Sequence, residues 1–321
     1  MSESILVICP DRPAHLMLAL SALAALRTHH KGARVIGLCA PAVTFIAKTL
    51  PYLDDVWLDP RRSFWDVRGT LELRAELRSV TFTRIYDFAH SFASRMYFHL
   101  MHGLKPKPDA LAAIPWSGDI EGTALYHNNP RKAGMHVSDH LQDQLKVAGV
   151  YEVLKADVSW AARQVREFSA PFRMNQPFAM LILDREGDDA WPSERYAGLA
   201  EWLTTRKLTP LLIGFQAHPL LADEILRRCP DAIDLTGKAP VIDTVFLSWA
   251  AAAAIGPVSA AMHIAAIANC RCVVLCGAGA DPALAGPRGT RVQVLNRGHL
   301  AQIGTGEVLT LLADLDAGVG A

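Results

Sequence analysis

Short apolar runs of strand length alternate along the chain with longer segments of helical period, and this alternation predicts a parallel α/β protein. The first half reads as strand Ile5–Cys9, helix Leu16–Thr28, strand Arg34–Cys39, helix Ala42–Leu50 and a short strand near Val56–Leu58. Helix Trp65–Arg78, strand Arg84–Ala89, helix Ser91–His102 and strand Ala110–Ile114 continue it. A polar loop with Gly118, Gly122, Asn128, Asn129 and Pro130 leads to helix His136–Ala148, with Leu141, Leu145 and Ala148 on one face and Gly149 as its stop. Periodicity weakens from Tyr151 to Gln176, where Pro171 marks a domain boundary.

The second half opens with strand Phe178–Leu183 and a helix from Ser193 to Thr205. Strand Thr209–Ile213, helix Leu220–Arg228, strand Ala232–Leu235, helix Val241–Ala250, strand Ala252–Ile255 and helix Ala260–Ala268 follow. Strands Cys272–Cys276 and Arg291–Leu295 and a terminal helix, Thr305 to Leu315, complete it. The expected organisation is a first domain over 1–160, a linker over 161–176, a second domain over 177–305 and a C-terminal helix over 306–321. Open parallel sheets bind ligands beyond the carboxyl ends of their strands, and two facing sheets make a cleft. The loops at 10–15, 89–91, 184–190, 214–218, 236–240, 256–263 and 277–290 are therefore where chemistry is expected.

Composition narrows the class. The 321 residues carry 32 basic and 32 acidic side chains, a balance without the footprint of a dedicated nucleic-acid binder. Ile5–Cys9 is far too short to span a bilayer, and the run Ala250–Ala254 ends at Gly256 and Pro257, so no transmembrane segment is expected. The N-terminus lacks the pattern of a signal peptide, and the reading is a cytoplasmic protein. Six cysteines in a chain this long read as reduced thiols. Cys272 and Cys276, separated by apolar residues, read as small hydrophobes of a buried strand rather than metal ligands. His29, His30 and Gly32 read as a helix C-cap. No Gly-x-Gly-x-x-Gly follows the first strand, and there is no P-loop and no Gly-x-Ser-x-Gly elbow, so no cofactor or metal is expected.

The segment Gly256 to His263 is the sharpest local signal. Small residues let a ligand approach the backbone there, and the N–H groups of Ala260, Ala261 and Met262 at a helix start, with the Ser259 hydroxyl and the His263 ring, suit a diphosphate. The alternative is that Ser259 only caps the helix and His263 packs in its first turn.

Met262-His263-Ile264-Ala265-Ala266, followed by a strand and Gly277-Ala278-Gly279-Ala280-Asp281-Pro282 with Gly286-Pro287, resembles the C-terminal half of family 9 glycosyltransferases, the ADP-heptose lipopolysaccharide heptosyltransferases. Trp191-Pro192-Ser193-Glu194-Arg195-Tyr196, Asp234-Leu235-Thr236-Gly237-Lys238, Tyr86-Asp87 and Pro51-Tyr52-Leu53-Asp54-Asp55-Val56 resemble further pieces of that family in the same order. The resemblance covers almost the whole chain. It implies a GT-B fold of two Rossmann-like domains, acceptor on the first and nucleotide-sugar on the second, and inverting, metal-independent transfer.

With the helix-start argument and the resemblance taken together, the residues expected at the donor are Arg185, Gly214, His218, Thr236, Gly237, Lys238, Ser259, Ala260, Ala261, Met262 and His263, and those expected on the acceptor side are Arg12, His90 and Ser91, with Arg95 and His99 as further candidates or as solvated helix side chains. The donor is a nucleotide-sugar, an ADP-sugar first. The acceptor is lipopolysaccharide or another lipid-linked surface glycan, met at the inner face of the membrane by peripheral contact.

The sequence departs from the family at several polar positions. Ala14 and His15 stand where the family has Gly-Asp, the aspartate being its candidate base. Asp189 replaces a lysine, Asp184-Arg185-Glu186-Gly187 a His-Pro-Gly loop, Val258 an aspartate and His218 a glutamate. His15 reads as the replacement base, as a residue capping or packing at the following helix, or as an inert remnant. Asp11 and Asp87 are the carboxylates considered for orienting it. Glu186–Asp189 reads equally as a solvated acidic turn. The rival to a transferase is a non-catalytic nucleotide- or sugar-binding relative.

Overall fold

The computed structural model describes residues 3–60, 63, 65–103, 114–164, 176–183 and 190–313. The chain divides into two compact units, Met1–Ala156 and Asp157–Ala321. The first is built on strands β1 (Ser4–Ile8), β2 (Arg34–Cys39), β3 (Asp55–Leu58), β4 (Arg84–Asp87), β5 (Trp116–Gly118) and β6 (Leu125–Tyr126). They pair in the order β3-β2-β1-β4-β5-β6, parallel throughout. Ile5 to Ile8 are buried one after another, as a parallel strand covered on both faces requires.

Three sequence expectations change in this unit. The helix expected over Leu16–Thr28 is two, Pro13–Leu18 and Leu20–His29, meeting at Ala19. It also begins earlier, because Pro13 occupies the first helical position, where its fixed φ and missing N–H cost nothing; His15 thus lies in the first helical turn rather than before it. A strand expected at Ala110–Ile114 falls largely outside the described residues. The fifth strand is Trp116–Gly118, so Gly118 belongs to the sheet and not to a loop, and a Cβ on it would stand 3.1 Å from Asp87 Cβ. β6 is only two residues long, too short to leave a period in the sequence. The helix Val137–Val147 buries Leu141 and Leu145, and Gly149 follows it at φ +82°, the left-handed position that ends helices.

The second unit holds β7 (Phe178–Ile182), β8 (Thr209–Ile213), β9 (Ile233–Asp234), β10 (Ala254–Pro257), β11 (Cys272–Cys276) and β12 (Val292–Asn296), in the parallel order β12-β11-β10-β7-β8-β9. Side chains alternate across this sheet. Ala179, Leu181, Val273 and Leu275 join the core layer holding Trp191, Tyr196 and Leu199, whereas Phe178, Met180, Ile182, Cys272, Val274 and Cys276 join the layer of Met262 and Ala265 on the other face. Cys272 and Cys276 are thus packing residues. The terminal helix is Thr305–Leu311; the expected end at Leu315 falls outside the described residues.

Strand order reverses direction between β1 and β4 in the first unit and between β7 and β10 in the second. At such a switch point the connections leave the neighbouring carboxyl ends in opposite directions and open a crevice.

Candidate functional site

In the second unit the expected donor residues gather at the carboxyl edge of the sheet. Gly214 and His218 follow β8, Thr236, Gly237 and Lys238 follow β9, and Ser259 to His263 follow β10. The first two groups are tied together: the Gly237 N–H donates to the Gly214 carbonyl at 2.8 Å and the His218 N–H to Thr236 Oγ1 at 3.3 Å. Gly237 stands at φ +68°, and a Cβ there would meet the Ala217 nitrogen at 3.0 Å, so glycine is required by both backbone angle and space. The Ser259 group lies two strands from β8 and three from β9 in the sheet order, about 10 and 14 Å at roughly 4.8 Å per strand.

Two of these residues differ from expectation. The Lys238 ammonium is engaged by Asp234, 2.8 Å from Oδ2 and 3.0 Å from its carbonyl, while Thr236 donates to Asp234 Oδ1. Burial pushes the Asp234 carboxyl up, but Lys238 and Thr236 outweigh it and hold the group below its ordinary value. Gly256 is small for a packing reason: a Cβ on it would lie 2.6 Å from both the Cβ and the carbonyl oxygen of Ile182 in β7. Ser259 does cap its helix, accepting the Met262 N–H at 3.2 Å, and Ala260 to His263 are buried, with His263 only 2% exposed. The capping reading of Ser259 is therefore real, and it leaves the N–H groups of Ala260 and Ala261 without an acceptor inside the helix. Arg185 and the turn Glu186–Asp189 lie outside the described residues.

In the first unit, Arg12 is exposed at the N-cap of the helix Pro13–Leu18, and His15 sits half-buried in that helix's first turn with no hydrogen-bond partner among the described residues. Burial lowers the His15 pKa, Arg12 adds to the effect and Asp11 opposes it, so the ring is neutral at neutral pH. Asp87 does not orient His15. Its Oδ1 instead accepts the N–H groups of Ala89 and His90, each at 3.0 Å. Ser91 caps the helix Phe92–His102 reciprocally with Ser94, which accounts for it structurally.

His90 is held at φ +47°, in the left-handed region, as the link between that turn and that helix. Its Nε2 lies 2.7 Å from Gln144 Oε1, and its Nδ1 faces Asp119 Oδ1 at 4.0 Å. Around it lies a group that sequence reasoning missed. The His140 ring lies tilted at 42° against His90 with centroids 4.6 Å apart, His140 Nε2 meets His127 Nδ1 at 3.1 Å, and His127 Nε2 meets Asp143 Oδ2 at 2.8 Å. Arg95 and Lys132 flank Asp119 at 3.9 and 3.7 Å. The histidines, Asp119, Asp143 and Gln144 come from the ends of β4, β5 and β6 and from the helix Val137–Val147, Arg95 from the helix Phe92–His102 and Lys132 from the turn Lys132–Gly134. The sequence signal that could have found this group is a single polar residue, Gln144, on the buried face of the helix Val137–Val147 beside Leu141 and Leu145.

Among the described residues, no group of three or more His, Cys, Asp or Glu has the geometry to hold a metal, and no helix is long and apolar enough to cross a membrane.

Neither a protein-family model nor a curated protein matches the chain. Solved structures do. A family 9 glycosyl transferase from Veillonella parvula matches with a TM-score of 0.75 at 16% identity, over 98% of this chain and 97% of its own. The ADP-heptose lipopolysaccharide heptosyltransferase II of E. coli matches at 0.72 and 19%, over 98% of each chain. An E. coli heptosyltransferase solved with ADP matches at 0.73 and 14%, over 97% and 99%. The chain has the α/β, GT-B fold of these glycosyltransferases over 97–98% of its length.

Proposed function

We propose that this protein is a glycosyltransferase, moving a sugar from a nucleotide-sugar donor to a hydroxyl of a lipopolysaccharide or other surface-glycan acceptor, with inversion and without a metal. The observation that carries the reading is the heptosyltransferase fold over nearly the whole of both chains, with one such neighbour solved both with ADP and with ADP-2-deoxy-2-fluoro heptose. ADP-heptose or a related ADP-sugar is accordingly the first donor to test.

In this reading the donor diphosphate lies at the carboxyl edge of the second sheet. The start of helix Ala260–Ile267 favours its negative charge, and Gly237 lets the backbone come close. The acceptor lies at the equivalent edge of the first sheet, beside Arg12, His15 and His90. His15 Nδ1 or Nε2 takes the hydroxyl proton as the acceptor oxygen bonds to the anomeric carbon, and the old carbon–oxygen bond breaks with its electron pair leaving on the nucleoside diphosphate. A neutral imidazole is the form that this step needs, and burial supplies it.

One observation favours a second reading, a nucleotide- or sugar-binding relative without turnover: Lys238 is already neutralised by Asp234. Calorimetric titration with ADP, GDP and UDP, followed by an assay of nucleotide release from their sugar conjugates, separates the two. Sugar-dependent release of ADP supports the transferase; binding without release supports the relative; and the absence of any nucleotide binding rejects the transferase and leaves only a sugar-binding relative.

A further inference from the structure

The relay beside His90 ends in an imidazole nitrogen that has nothing to do within the described protein. Asp143 Oδ2 accepts from Asn129 Nδ2 at 2.7 Å as well as from His127 Nε2, so the carboxylate fixes the proton of neutral His127 on Nε2. His127 Nδ1 is then an acceptor, and His140 must donate to it from Nε2. The lone pair of His140 Nδ1 is left, on a partly exposed ring, with no hydrogen-bond partner among the described residues.

The neighbouring ring is fixed in the same sense. Gln144 Nε2 donates to the carbonyls of Asp87 and Ser117, both at 3.0 Å, which turns Oε1 to His90 Nε2 and makes that nitrogen the donor. His90 Nδ1 and Asp119 Oδ1, both buried, are left facing one another as acceptors. Asp119 also lines a cavity of about 360 Å³ with Arg95, His99 and Tyr126. His90 Nδ1 and Asp119 Oδ1 are buried, and Arg95 and Lys132 stand beside Asp119, so the acceptor open to a ligand is His140 Nδ1. A phosphate at neutral pH has little to donate to it, whereas a sugar hydroxyl donates readily.

We propose that His140 Nδ1 is a hydroxyl-binding site for the sugar acceptor, with Asp143 and His127 as positioning residues that hold its lone pair outward. This rests on the sugar-transfer reading for its ligand class and adds a contact to it. Burial, and then the neighbouring His90, His127 and Lys132 against Asp119, lower the His140 pKa to about 4, so the ring accepts a hydrogen bond throughout the neutral range.

The test uses the full chain with ¹⁵N-labelled histidine and long-range ¹H–¹⁵N correlation at pH 7. His127 and His140 are expected as Nε2–H tautomers, and methyl α-D-mannopyranoside and related methyl glycosides should move the His140 Nδ1 resonance while inorganic phosphate leaves it in place. His140→Phe should weaken glycoside binding about tenfold, one neutral hydrogen bond's worth, while His140→Gln, which keeps an acceptor oxygen, stays within about threefold. Asp143→Asn should release the His127 tautomer and weaken binding through it. A proton on His140 Nδ1, or a resonance that no glycoside moves, overturns the proposal. Sugar transfer by a protein with an unresponsive His140 rejects this site alone; a responsive His140 without nucleotide release keeps the site and rejects the transferase.

Discussion

Gly256→Ala and Gly198→Ala are chemically the same change with opposite expected signs. A Cβ at Gly256 would sit 2.6 Å from two backbone-anchored atoms of Ile182, in the centre of a sheet whose neighbouring strands are fixed by parallel pairing on both sides. No flexible side chain is available to give way, so β7 and β10 must shift, a distortion of the overpacking kind costing about 1–3 kcal/mol. At roughly 2–4 °C per kcal/mol for a body of this size, the melting midpoint of the second unit should fall by roughly 2–12 °C. Gly198, inside the helix Ser193–Thr205, has nothing within 4 Å of its would-be Cβ. Alanine there removes the entropic cost of glycine and should stabilise by about 0.5–1 kcal/mol. Scanning calorimetry and urea titration of both variants check the pair. A Gly256→Ala protein as stable as the parent would refute the close-packing account and return Gly256 to the role expected from sequence, space for a ligand.

His15→Ala should lower turnover about 10²–10⁴-fold, the usual worth of a general base, with nucleotide affinity unchanged in calorimetry; full activity would remove His15 from the mechanism. Burial raises the Asp87 carboxyl above its ordinary value against the pull of His90 and the Ser94 hydroxyl. The native state therefore keeps that proton to higher pH than the unfolded chain, and stability falls as pH rises from the ordinary carboxylate value through the raised one; Asp87→Asn should flatten that part of a urea-midpoint profile. Asp234 has the opposite sign: its lowered pKa gives stability that is present above the unfolded value and lost as acid titrates the folded group. Lys238→Met should shrink that acid loss, seen as a smaller drop in melting temperature between pH 5 and pH 3.

Long apolar strands such as β1, β2, β7 and β11 were legible because both faces of a parallel sheet are buried and every residue carries the signal. β5 and β6, at three and two residues, were not, since so short a strand has no period. Pro13 could have moved the first helix start back by three residues, but the apolar pattern opening at Leu16 masked it. At the site, the strand-end rule found the right edge of each sheet, while the partners of individual side chains stayed hidden. Lys238 and Asp234 are four apart on a turn rather than a helix face, so spacing alone did not pair them. His90, Asp119, His127, His140 and Asp143 come from four segments whose meeting depends on the register of β4, β5 and β6, which no local pattern specifies.

The two sheets have the same strand order, and among the described residues no strand passes from one to the other. The ladder joining the most distant residues in each is that between its first and fourth strands, Ile5 with Arg84 in one and Met180 with Ala254 in the other. Every pairing in the first sheet is therefore available once the chain has been synthesised through β6, before β7 exists. On the ribosome the amino-terminal half can complete its sheet while the carboxyl-terminal half is still untranslated, and the competing pairings between halves that trap repeated α/β folds are avoided by timing. A lesion confined to the later sheet, such as Gly256→Ala, should accordingly leave a folded, protease-resistant amino-terminal half on stalled nascent chains.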